Sequence, residues 1–336
     1  MEPWWILIFL VLLASLLYIN LLVEDRIVAP YRKQLRKDNS ASAIKEGFQD
    51  LKDIAGVYPE NQGVIRWLPN DELYDSFYAS VYDQLSQGAV RGQAEIGLML
   101  HEWTKRGQDF KTFKILDAGC GTGVSAAAFA KMGVKKVVGI DKSSAMLTYA
   151  RDHLLTQTTL TPEQKQAIEW READLLNPSA AQGGEFTHAV LQYFTVYYFT
   201  DKETLFRNLF FWVAPGGRLA IHVVNKHKFD PMLESASPWL GFSLQKYAKD
   251  RVTHSEVSFN KFTYSADFDL HDPAAEFREV FRFKDGKIRR QRHTFKMEDM
   301  NTIVGLAKAA GWDYVGYTDL TPVGFEYAYH LHFKHS

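Results

Sequence analysis

Residues 114–123 read Lys-Ile-Leu-Asp-Ala-Gly-Cys-Gly-Thr-Gly, an apolar run through Asp117 that opens into glycines at 119, 121 and 123. Glycines at alternate positions permit positive φ and let bare backbone approach a ligand. Residues 124–132 have the composition of a helix, whose N-terminus would face that ligand. The spacing is G-x-G-x-G, and Val124 stands where the dinucleotide fingerprint has its third glycine. Two more acids close apolar runs, Asp141 after 135–140 and Asp174 after 167–173. Open α/β sheets bind ligands outside the carboxyl ends of their strands. A carboxylate at 141 can accept from both hydroxyls of a ribose, and one at 174 from the exocyclic amine of an adenine. The chemistry these residues suit is nucleotide binding.

The series Asp117, Gly119, Asp141 and Asp174 resembles the class I S-adenosylmethionine-dependent methyltransferases, and the resemblance runs over residues 71–336. It implies an α/β fold: a Rossmann-like seven-stranded methyltransferase sheet with helices on both faces. It implies S-adenosyl-L-methionine as cofactor and transfer of a methyl group to N or O of a small-molecule or lipid-like acceptor. By the same resemblance Asp117 and the loop of Gly119, Cys120, Gly121 and Gly123 hold the methionine end. Asp141 with Lys142 holds the ribose, Asp174 or Leu175 the adenine, and Gln192 joins the cofactor set. The later elements follow the family's order, with a fourth strand at 186–194, a helix at 202–212 and an Ala-Pro-Gly-Gly turn at 214–217 into a strand at 218–224. A late helix at 297–310 and closing strands at 313–319 and 325–333 complete it. Thr187 departs from the family, which often has Asp before the fourth strand.

Methyl transfer is an in-line displacement, in which positioning and exclusion of water carry most of the catalysis. Residues for the acceptor side are sought at the ends of the fourth and fifth strands: Gln192, Tyr193, Thr195, Tyr197, His222 and Asn225. Tyr197 and His222 are the catalytic candidates. Tyr197 and Tyr198 have packing at a helix start as their alternative, and His222, alternating with Ala220 and Val224, suits a core histidine before a general base. Upstream, Tyr74, Tyr78 and Tyr82 recur every four residues on one helical face. Such a stripe is usually core packing. Related N-terminal segments in the resembling family fold over the cofactor, so Tyr78 and Tyr82 are also candidates for contact with cofactor or substrate, through attraction of an aromatic face for a sulfonium.

Several elements must position these residues. An antiparallel β insertion at 226–296, before the last helix, is expected to cap the substrate, with strands over 257–270 and 277–295 and a hairpin turn at Lys284-Asp285-Gly286-Lys287. Phe277, Phe281 and Phe283 would share one face; Arg278, Arg282 and Lys284 the other, joined by Arg289, Arg290 and Arg292. Such a basic ribbon is usually a solvated face, and otherwise suits an anionic group or a membrane surface. Residues 4–23 are uncharged and apolar, long enough to cross about 30 Å of hydrocarbon as a helix. Residues 1–24 are expected to be an N-terminal transmembrane helix and 25–70 a juxtamembrane linker. Arg26, Arg32, Lys33, Arg36 and Lys37 would keep the catalytic domain, 71–336, on the cytosolic side of a single-pass protein.

Composition narrows the alternatives. Lys and Arg number 39 against 40 Asp and Glu, so no overall field draws nucleic acid, and none is expected as a partner. One cysteine, Cys120, rules out an internal disulfide framework. His330, His332 and His335 fit a closing strand better than a metal site, and no metal is expected. Two other classes stay open: a catalytically silent cofactor-binding scaffold, and a nicotinamide-dependent oxidoreductase, which position 124 and the second acid, Asp174, argue against.

Overall fold

The computed structural model describes residues 56–60, 66–86, 88–105, 107–231 and 251–336. The membrane span expected at 4–23 and most of the linker at 25–70 lie outside them. Among the described residues no helix is long and apolar enough to cross a membrane. The described end of the linker segment is sheet and helix: Val57–Pro59 (β1) and Trp67–Leu68 (β2) both pair with the insertion, and Asn70–Leu73 is a single helical turn (α1). Ser76–Ser86 (α2) and Gly88–Thr104 (α3) follow.

The strands and helices of the nucleotide half then alternate. They are Lys114–Ala118 (β3), Val124–Met132 (α4), Lys136–Asp141 (β4), Ser144–Tyr149 (α5), Pro162–Gln166 (α6) and Ile168–Glu172 (β5). Phe186–Leu191 (β6), Thr195–Tyr198 (α7), Lys202–Trp212 (α8) and Val213–Val224 (β7) continue the series. The insertion supplies His254–Ser258 (β8), Phe262–His271 (β9), Ala274–Phe283 (β10) and Lys287–Lys296 (β11). Met300–Ala309 (α9), Trp312–Asp319 (β12) and Ala328–His335 (β13) close the chain.

Short polar side chains start the helices, each accepting from a backbone amide of the first turn: Ser143 for α5, Thr161 for α6, Asp201 for α8 and Asp299 for α9. The seven strands lie in the order β12-β13-β7-β6-β3-β4-β5. The chain steps outward from β3 to β5, then returns to the other side of β3 with β6. The crevice at this reversal opens at the carboxyl ends of β3 and β6. Period-two alternation sends Leu116 and Leu191 to one buried layer, with Trp212 and Trp312, and Ile115 and Val190 to the other, with Trp103 and Phe129.

Two details differ from expectation. β7 begins at Val213, since residues 214–217 form a bulge within the strand: Phe186 faces Val213 and His188 faces Arg218. Thr187 works as a stitch, its hydroxyl accepting from the Lys114 amide at 2.9 Å and donating to the Lys114 carbonyl at 3.1 Å. The C-terminal histidines sit on β13, paired with β7 and β12, and no metal-ligating cluster occurs among the described residues.

The insertion is a second, antiparallel sheet in the order β1-β11-β10-β9-β8, with β2 parallel to β11. The 257–270 run is broken into two strands by a turn at 259–261. Register corrects the basic ribbon. Phe281 lies directly opposite Arg289, so Arg289 shares the inward face with the phenylalanines. It is fully buried, its guanidinium 2.6 Å from Asp75 and 3.0 Å from the Leu73 carbonyl, over the Phe77 ring. Arg278, Arg282 and Arg292 do point outward, each beside an acid: Asp269, Glu60 and Glu276. Arg290 lies over Trp67. The outer face is a set of solvated, paired charges around a patch where Trp67 packs on Val280 and Ile288.

Candidate functional site

The glycine loop divides into two jobs. Gly119, at φ +72°, donates to the Ile140 carbonyl at 2.7 Å, and a Cβ there would meet Thr195 Cγ2 at 2.5 Å. Gly121, at φ +52°, donates to Asp141 Oδ2 at 2.8 Å, and a Cβ on it would meet nothing within 4 Å. These two line a cavity of about 360 Å³. Gly123 does not; it is the left-handed N-cap of α4, and a Cβ there would come within 2.3 Å of Trp170. Its smallness serves helix–sheet packing.

Of the other residues expected at the cofactor, Asp141, Lys142, Asp174, Leu175, Tyr78 and Tyr82 all line the same cavity. Both Asp141 oxygens accept from backbone, Gly121 and Ser143, which fixes the carboxylate at the end of β4. Burial pushes its acid up, against the pull of those amides. Asp174 is exposed at the rim and accepts from the Leu176 amide at 2.9 Å. Lys142 reaches out to Asp71 at 2.6 Å. The tyrosines cluster, with Tyr74–Tyr78 and Tyr78–Tyr82 ring centroids 5.7 and 5.5 Å apart, although Tyr74 precedes α2.

Asp117, Cys120 and Gln192 sit just behind that wall. Asp117 is buried, accepts from the Ala126 amide, and leaves Oδ2 without a hydrogen-bond partner among the described residues. Burial and the neighbouring charge of Asp141 push its acid up to about 7. A buried carboxyl in that state is complementary to a cation, such as the ammonium of a methionine moiety. The Gln192 amide is likewise buried with both atoms unpartnered. Burial, with Asp117 and Asp141 nearby, pushes the Cys120 thiol up, the reverse of an activated cysteine.

The two catalytic candidates are corrected. Tyr197 is buried in the core and its hydroxyl accepts from the Val224 amide at 3.0 Å, tying α7 to β7. His222 is fully buried, with Nδ1 2.6 Å from the Tyr193 carbonyl. Neither lines the cavity. Tyr197 packs where α7 meets β7, and His222 lies on a strand paired on both edges, by β6 and β13, so both side chains turn into the core.

Tyr193 and Thr195, sought for the acceptor side, line the cavity, and residues that the sequence pattern did not single out for that role complete it. Tyr74, Tyr198, Phe277, Glu279, His293 and Phe295 all line it. His293 Nε2 is 2.5 Å from Glu279 Oε2, and Nδ1 is 2.6 Å from the Tyr198 hydroxyl, which receives the Tyr74 hydroxyl at 2.6 Å. Glu279 also accepts from Tyr78, Tyr264 and Gln291. Burial drives its acid upward, but His293 and these donors outweigh it and hold the carboxyl below the usual range. The signal was present as polar residues at period two on an apolar face, Glu279 between Phe277 and Phe281, and His293 two before Phe295. Asp83 was missed too: it accepts from the Thr122 hydroxyl, clamping α2 to the glycine loop, and burial pushes it up to about 6.

Residues 115–217 match the family described as methyltransferase domain. Over 310 residues, 87% of this chain and 54% of the relative, the chain is 25% identical to phosphoethanolamine N-methyltransferase 1 of Triticum aestivum. It is 27% identical to a trans-aconitate 2-methyltransferase of Methylobacterium radiotolerans over 58% of this chain and 67% of that one. The chain spans about half the length of the phosphoethanolamine N-methyltransferases it matches. Among solved structures, an S-adenosylmethionine-dependent methyltransferase from Clostridium acetobutylicum superposes with a TM-score of 0.54 at 16% identity, covering 77% of this chain and 97% of that one. Residues 115–217 thus match a methyltransferase domain, and the seven-stranded sheet around them has the fold of that solved S-adenosylmethionine-dependent methyltransferase.

Proposed function

We propose that the chain transfers a methyl group from S-adenosyl-L-methionine to the nitrogen of a small amine. The cofactor supplies an electrophilic methyl on a sulfonium; the chain's residues bind, orient and exclude water. Asp117 and the Gly119–Gly121 backbone hold the methionine end, Asp141 the ribose, and Asp174 with Leu175 the adenine. The orphaned Oδ2 of Asp117, near the end of the strand that leads into the cavity-lining Gly119 and Gly121, is the observation that supports this best. Tyr78 and Tyr82 close the cavity over the site.

The character of the acceptor wall supports an amine. It carries Glu279, its carboxyl held below the usual range, amid tyrosine and phenylalanine rings, and the one Lys or Arg of the lining among the described residues, Lys142, is paired with Asp71. Aromatic faces with a carboxylate attract a cation, whereas a tricarboxylate such as trans-aconitate would meet like charge. The name of the Triticum relative, an N-methyltransferase, agrees with this choice. The apolar run at 4–23 and the basic residues after it support a single-pass protein with the enzyme at the cytosolic face of a membrane.

Titration of S-adenosylmethionine, its demethylated product and NADH into the full chain is the test, followed by labelled methyl transfer to ethanolamine, phosphoethanolamine and trans-aconitate. Binding of the first two at micromolar levels and labelling of an amine are expected. Binding of NADH alone, or labelling of trans-aconitate alone, overturns the proposal.

A further inference from the structure

An amine is a nucleophile only without its extra proton, so an acceptor that arrives as an ammonium must give that proton up for its nitrogen to be methylated, and the cavity has to take it. We propose that Tyr74, Tyr198 and His293 form a relay that carries this proton from the acceptor nitrogen into the cap sheet, with Glu279 orienting its last member. The inference rests on the methyl-transfer reading above and names the group that serves it.

The hydrogen bonds set the direction. Glu279 accepts from Tyr78, Tyr264 and Gln291, so a neutral His293 places its proton on Nε2, 2.5 Å from Glu279 Oε2. Nδ1 then presents a lone pair to the Tyr198 hydroxyl at 2.6 Å, and the Tyr198 oxygen accepts from Tyr74 at 2.6 Å. Every hydroxyl in the chain points toward His293. The Tyr74 oxygen, at the cavity wall, is the receiving end.

The balance is simple. As the sulfur–methyl bond breaks and the nitrogen–methyl bond forms, the sulfonium becomes a neutral thioether. The acceptor's proton passes to Tyr74 Oη, the Tyr74 proton to Tyr198 Oη, and the Tyr198 proton to Nδ1 of His293. The resulting imidazolium lies against the Glu279 carboxylate. Burial pushes both phenols well up, so neither stands as a phenolate and both pass protons as neutral hydroxyls. Nδ1 of His293 is the lone pair to which the two hydroxyls lead, whereas Glu279 already accepts from Tyr78, Tyr264 and Gln291. The titratable groups facing His293 are Tyr74 and Tyr78 from the N-terminal segment, Tyr198 from α7, and Glu279 of β10, which also bonds Tyr264 of β9.

Two measurements decide it. In labelled methyl transfer, Tyr198→Phe, which removes one oxygen, should lower kcat about a hundredfold. Its KM and its affinity for S-adenosylmethionine should stay within about threefold of wild type, and the loss should shrink as pH rises and the amine deprotonates unaided. A kcat within twofold of wild type overturns the relay, and so does a loss independent of pH. Failure of the unaltered chain to bind S-adenosylmethionine would instead overturn the underlying reading. The second measurement needs neither acceptor nor cofactor: nitrogen NMR of the His293 ring should show a proton on Nε2 alone at pH 8.5. An imidazolium persisting at that pH leaves no lone pair to receive a proton and overturns the inference.

Discussion

The two sheets of this molecule are held to their functional groups by opposite means. The seven-stranded sheet shapes its half of the cavity with backbone: Gly119 and Gly121 in positive φ, and a carboxylate at the end of β4 tied to local amides. The cap sheet shapes its half with side chains from distant segments, as when Asp75 and Tyr78 meet Arg289 and Glu279 across about two hundred residues of chain. The first arrangement is local and rigid. The second is a buried polar network, in which each group depends on its partners.

The sharpest way to break the contrast is Arg289→Met. Its guanidinium is fully buried against Asp75, Leu73 and Gln291. Removing one member of a buried pair leaves the other uncompensated, and a loss of about 3 to 5 kcal/mol is expected, read by urea unfolding. A loss below about 1 kcal/mol would mean that the cap is held by its phenylalanines alone.

Asp117→Asn should act in the opposite sense on the other sheet. With its acid pushed up to about 7, Asp117 keeps in the folded state a proton that the unfolded chain releases near pH 4. The folded state therefore binds more protons between these values, and stability falls as pH rises through that window. Asparagine removes this slope, leaving those from Asp83 and Asp141, whose acids burial also pushes up. It should stabilise the cofactor-free protein at pH 8 by about 2 to 4 kcal/mol while weakening S-adenosylmethionine binding at least about tenfold. In the unaltered protein that affinity should rise through pH 7 as Asp117 ionises, and in the variant it should be flat. Melting and titration between pH 5 and 8 would show both.

Legibility in the sequence followed the same division. α4 and α8 fell on the expected residues, and the β3 loop and the acids at 141 and 174 were visible because a strand, a turn and a helix are patterns a few residues long. Glu279 and His293 were not visible as a pair, since what joins them is the register of a hairpin with ten residues in each strand. A one-residue slip exchanges the faces, and that put Arg289 on the wrong side. Tyr197 and His222 show a related limit, since the pattern offers each both as a core residue and as a catalytic one. Position at a strand end is legible, but whether the side chain turns toward a cavity or into the core depends on what packs above it.

Gly119→Ala probes the backbone half with the smallest added group. Its φ of +72° and a Cβ 2.5 Å from Thr195 Cγ2 predict strain of about 1 to 3 kcal/mol. Gly121→Ala also has a positive φ, +52°, but open space, so its stability should fall less while cofactor affinity falls as much, because Gly121 lines the cavity. Equal melting temperatures for the two variants would count against steric conflict with Thr195 as the source of the difference.

Arg282→Ala should change stability by less than about 0.5 kcal/mol, although it stands seven positions from Arg289 on the same hairpin. Its guanidinium is 43% exposed and 3.6 Å from a Glu60 carboxylate that is itself 56% exposed, so water screens the pair. Set beside Arg289→Met, this isolates register from residue type: two arginines, one hairpin, one face packed and one wet. A substantial destabilisation in urea unfolding would show that the outer face is a structural surface as well, and binding to anionic vesicles that disappears with Arg282→Ala would restore the ribbon as a functional one.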